Sequence, residues 1–67
     1  MNERTYTMVW NPLTDLVEAL NGAGKVVAKI ASPSTNKSMK LLFGGAKKIT
    51  VKADIIDGVF TVQKRIK

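Results

Sequence analysis

Apolar and polar residues alternate with a period of two toward both ends of the chain, and a longer period lies between them. Tyr6, Met8 and Trp10 alternate with Thr5, Thr7 and Val9. Aromatic and β-branched residues at this spacing predict a strand over residues 4–10. Asn11-Pro12 follows, a pair suited to a helix start. Asn caps free amides there, and Pro at the first helical position gives up no needed donor. Leu13, Leu16, Val17 and Leu20 then stand at i, i+3, i+4 and i+7, one helical stripe. Asp15 and Glu18 suit the N-terminal end of such a helix, and Asn21-Gly22 suits its end.

The stretch Lys25 to Ala31 predicts a second strand, with Val26, Ala28 and Ile30 on one face and Val27, Lys29 and Ala31 on the other. Residues 32–38 are polar and read as a mobile connection. Residues 39–43 fit two patterns. Met39, Leu41 and Phe43 share a strand face, whereas Met39, Leu42 and Phe43 share a helical turn. Gly44-Gly45 would leave a helix very short, which favours the strand.

Asp57-Gly58 separates two alternating runs and predicts a two-residue type I′ hairpin. That turn pairs Ile56 with Val59, Ile55 with Phe60, Ala53 with Val62, Val51 with Lys64 and Ile49 with Ile66. One face then holds Ile49, Val51, Ala53, Ile55, Phe60, Val62 and Ile66. The other holds Thr50, Lys52, Asp54, Ile56, Val59, Thr61, Gln63 and Arg65. The expected fold is α+β: a small antiparallel sheet with one covering helix, in the order β-α-β-β-β-β, forming a single small domain over residues 1–67. Its core is expected to place Ile49, Val51, Ile55, Phe60 and Val62 beneath the stripe of Leu13, Leu16, Val17 and Leu20.

Length changes what this core has to do. A chain of 67 residues buries only about 60% of the surface its unfolded form exposes. Small domains of this size are often reinforced by disulfides, metals or a second copy. Cysteine and histidine are both absent. That excludes disulfides, thiolate zinc sites, Cys nucleophiles, imidazole bases and His-bound metals. A homodimer is therefore expected, favoured by Ile56 and Val59 on an otherwise polar face. No run of about 18 apolar residues is present, and the beginning lacks the apolar core of a signal peptide. The expectation is a cytoplasmic protein without a membrane role.

Charge is the strongest functional signal. Lysine and arginine number 11 against 5 acids, a net charge of +6. The first 24 residues are net acidic, and all the excess positive charge lies beyond them. Lys37, Lys40, Lys47, Lys48 and Lys52 follow one another with no intervening acid. Such asymmetry points to a polyanionic partner, set against the plainer reading of a solvated basic face. Lys29, Lys40, Lys47, Lys48, Lys52 and Arg65 are the expected phosphate contacts. Most of the basic residues are lysines, which bind phosphate as point charges, whereas arginine reads guanine edges. Binding is thus expected to depend on the nucleic-acid backbone more than on base sequence. The expected helix carries Asp15 and Glu18, which would repel phosphate.

The remaining motifs add less. Gly22-Ala23-Gly24-Lys25 has the wrong order and spacing for a phosphate loop. Gly44-Gly45-Ala46-Lys47-Lys48 could form an anion-binding nest, or simply connect two strands. Of four aromatics, Phe60 reads as core, and Trp10 is the better candidate for a stacking platform because it ends a strand. No two carboxylates converge in the pattern, which disfavours acid–base catalysis. The expectation is a small non-enzymatic nucleic-acid-binding or DNA-associated accessory protein without cofactors, in keeping with small accessory proteins of phages and mobile elements. The alternative is a protein-interaction module: an inhibitor, adaptor or assembly subunit.

Overall fold

Tyr6, Met8 and Trp10 lie along a strand, as their alternation predicts. The computed structural model describes residues 4–67. Its elements run β1 (Arg4–Asn11), β2 (Leu16–Leu20), β3 (Val26–Ala31), a short 3-10 turn (Pro33–Thr35), α1 (Lys37–Phe43), β4 (Lys48–Ile56) and β5 (Val59–Arg65). The strands form one antiparallel sheet in the order β3-β2-β1-β4-β5. The class is α+β, as expected, but the order is β-β-β-α-β-β. The helix and one strand have exchanged places along the chain.

Residues 12–20 are the first correction. Asn11 does not cap a helix; its side-chain oxygen accepts from the Leu13 amide at 2.9 Å and tightens a turn. Asp15 has a φ of 52°, outside the right-handed helical region. Leu16–Leu20 then returns beside β1, with Trp10 opposite Val17 and Met8 opposite Ala19. The segment also satisfies period two. Val17 and Ala19 are buried, while Leu16, Glu18 and Leu20 alternate with them. Leu13, the first residue of the supposed stripe, is 94% exposed. Strand pairing wins because β1 lies in the middle of the sheet and needs hydrogen-bond partners on both edges.

Residues 37–43 are the second correction. They form the α-helix, and the polar connection before them contains its start. Asn36 accepts from the Met39 amide through its side chain at 3.2 Å, an N-cap. Gly44, at φ 57°, closes the other end, and its amide donates to the Lys40 carbonyl at 3.0 Å. The glycine pair is the stop signal of a short helix. Phe43 is buried, Met39 and Leu42 pack beside it, and Leu41 is 75% exposed. These are the positions of the helical-turn pattern.

The C-terminal hairpin keeps its predicted turn, with positive φ at Asp57 and Gly58 as a type I′ turn requires. Pairing follows prediction from Ile56–Val59 as far as Ala53–Val62. The register then shifts between Lys52 and Ala53, so that Lys52 meets Lys64 and Val51 meets Arg65. This bulge transfers Arg65 to the core side and Lys64 to the opposite face.

The core consists of Tyr6, Met8, Val17, Ala19, Phe43, Ile49, Val51 and Ala53. Ile49 and Val51 are buried as expected. Phe60 and Val62 are only partly buried, and Ile55 is 47% exposed. The cover is α1, not residues 12–20. Among the described residues, no helix is long and apolar enough to cross a membrane.

Candidate nucleic-acid interface

The side chains facing away from the core alternate with the buried ones, so the pairing registers lay out the outer face row by row. One row runs Lys29, Glu18, Val9, Lys48 across β3, β2, β1 and β4. Thr7 and Thr50 are paired in a neighbouring row. Another runs Thr5, Lys52, Lys64 across β1, β4 and β5. Asp54 faces Thr61 in a further row toward the hairpin tip. Lys52 and Lys64 thus sit side by side, and Lys48 lies four residues back along β4 on the same face, with three threonines between and beside them. Lys52 and Lys64 are direct cross-strand neighbours, a like-charge pair that works against sheet stability.

The six residues singled out from the sequence divide in the structure. Lys48 and Lys52 share this outer face. Lys29 lies on it too, but directly opposite Glu18. Lys40 is on α1, and with Lys37, Ser34 and Thr35 it borders a separate surface depression. Lys47 holds its ammonium over the Trp10 ring, 5.1 Å from the centroid, a cation–π contact. Arg65 turns inward. Its Nη1 donates to the carbonyls of Leu42 at 3.2 Å and Phe43 at 3.0 Å, capping the negative end of α1. Lys64 is the residue sequence reasoning missed. Only the bulge brings it beside Lys52, and a bulge carries no reliable signature in one strand's own sequence.

Part of the expected glycine nest is committed to the fold. The amides of Gly44 and Ala46 already donate to the carbonyls of Lys40 and Phe43. Trp10 offers no bare platform, because Lys47 lies over its ring and Phe43 packs edge-on at 5.4 Å. Phe60 is the aromatic with an open side. It packs edge-on to Tyr6 at 5.1 Å and lines a groove of about 420 Å³ between β3, α1 and β5. Ile30, Met39, Leu42 and Val62 supply the groove's apolar walls, and Ser38, Gln63 and Lys64 lie among its lining residues. The sheet curls enough for its two edge strands to border the same groove.

Among the described residues, no group of three or more carboxylates comes together as a metal site. Asp15 accepts hydrogen bonds from Ser34, at 2.6 Å from its hydroxyl and 3.3 Å from its amide. Asp54 accepts from the amide of Ile55 at 2.8 Å. No protein family matches the chain, and comparison with curated proteins and with solved structures finds no match.

Proposed function

We propose that this chain is a non-enzymatic nucleic-acid-binding protein that contacts backbone phosphates through Lys48, Lys52 and Lys64. The observation that carries the reading is the direct opposition of Lys52 and Lys64 across β4 and β5. A like-charge pair is unfavourable in a free sheet and becomes favourable when a polyanion lies over it. Thr5, Thr7 and Thr50 add hydroxyl donors beside the ammonium groups. Lys29 and Lys40 extend the positive field, while Arg65 serves the fold. Lysine-dominated contacts of this kind favour affinity for the backbone over recognition of base sequence.

Fluorescence anisotropy with labelled single- and double-stranded probes at low salt tests the proposal. The wild type should bind. Replacing Lys48, Lys52 and Lys64 together by Glu should abolish binding to every probe. An unaffected triple variant, or a wild type that binds nothing at low salt, rejects it.

A second reading rests on a different observation. Ile55, Ile56 and Val59 are 47%, 48% and 62% exposed at the hairpin tip. An apolar tip of this kind suits a protein contact, including a second copy of the chain. Sedimentation tests the homodimer: Ile56→Ser with Val59→Ser should convert a dimer to a monomer. A wild type that remains a monomer at high micromolar concentration removes that form of the reading.

A further inference from the structure

The groove between the two edge strands has no task in phosphate binding, yet one member of the lysine row, Lys64, borders it. Lys64 belongs to both, since it lines the groove and stands opposite Lys52 on β4. We infer that the groove takes an unpaired base of a single-stranded nucleic acid whose phosphate lies on Lys64 at the groove's rim. This rests on the phosphate-binding reading and narrows its substrate class.

Three features favour an unpaired strand over a duplex. The groove is concave and apolar, with Phe60 in its wall, and a half-buried aromatic in such a place stacks on any base. Its volume of about 420 Å³ falls in the range of small-ligand sites, whereas bases inside a duplex are already stacked and cannot enter. Ser38 and Gln63 lie among the lining residues and bring hydrogen-bonding groups for base edges. The rest of the molecule offers little to a duplex, because α1 has only seven residues and Asn36 and Gly44 cap it at both ends. An apolar peptide would use the groove without needing the ammonium group of Lys64. A base joined to its phosphate uses both.

The test compares a short oligothymidine with a duplex of the same length, by anisotropy at matched salt. Oligothymidine should bind about tenfold more tightly, the order of one stacked base. Phe60→Leu keeps the apolar wall but removes the ring, and should lower oligothymidine affinity about five- to tenfold while leaving duplex affinity unchanged. Phe60→Tyr keeps the ring and should retain the preference, which separates lost stacking from a damaged fold. Ser38→Glu places a negative charge at the groove and suits the first turn of a helix; it too should weaken oligothymidine binding more than duplex binding. Equal affinity for both probes, or an unchanged oligothymidine affinity in Phe60→Leu, overturns the groove assignment and leaves phosphate binding standing. Failure of both probes to bind at low salt overturns both.

Discussion

Phe43 and Leu13 show how differently two apolar residues of this chain are used. Phe43 is fully buried and packs edge-on against Trp10. Phe43→Ala should destabilise the protein by about 3–5 kcal/mol, close to the whole stability of a domain this small. Leu13 is 94% exposed, and Leu13→Ser should change stability by less than about 0.5 kcal/mol. Urea denaturation of the pair separates the strand from the helix reading of residues 12–20, since a core-facing Leu13 would be costly to remove. Arg65 makes the same point for charge. Arg65→Ala should cost about 1 kcal/mol, because two helix-terminal carbonyls lose a charged donor. Arg65→Lys should recover part of the loss by restoring the positive charge at the helix end.

At the scale of elements, the β4–β5 pair sets function against stability. The bulge aligns Lys52 with Lys64, and like charges directly opposite one another are unfavourable. Lys64→Glu should therefore raise stability by about 0.2–1 kcal/mol while weakening nucleic-acid binding. Thermal melting and anisotropy on the same variant check both signs. A loss of stability would show that the two ammonium groups do not face each other. The bulge has a further consequence for β5, which is an edge strand. Bulges and lysines both discourage edge-to-edge pairing, so the exposed hairpin tip is the better candidate for self-association.

Considered as a whole, the molecule has a net charge of +6, with its cations spread over the outer face, the helix and the groove rim. Binding should consequently depend steeply on salt. Each phosphate contact contributes about 0.9 to the log–log slope on duplex DNA and about 0.7 on a single strand. Neutralising Lys48, Lys52 and Lys64 with Gln should lower the slope by roughly 2–3 on duplex and by about 2 on a single strand. A slope unchanged in the triple variant would place the contacts elsewhere on the surface.

The strand at residues 4–10, the strand at 25–31 and the Asp57-Gly58 hairpin were legible in the sequence because their patterns are local. A period of two and a turn needing positive φ are properties of neighbouring residues, whatever the rest of the chain does. The charge asymmetry was equally plain, since it requires no coordinates. Residues 12–20 and 37–43 were not decided locally. Leu16, Val17 and Leu20 fit a helical stripe, and Val17 and Ala19 fit a strand face. Met39, Phe43 and either Leu41 or Leu42 likewise served both periods. Tertiary structure chose between them: β1 required partners on both edges, and the inner face of the sheet required the cover that Phe43 provides. The candidate site divides along the same line. Lys52 followed from alternation along the hairpin, and Lys48 from the lysine run after Gly44-Gly45; its place on the outer face came with the extent of β4. Lys64, Arg65 and the open side of Phe60 depended on one bulge and on the curl that brings β3 and β5 to the same groove. Those are relations between strands, and they exist only once the sheet has formed.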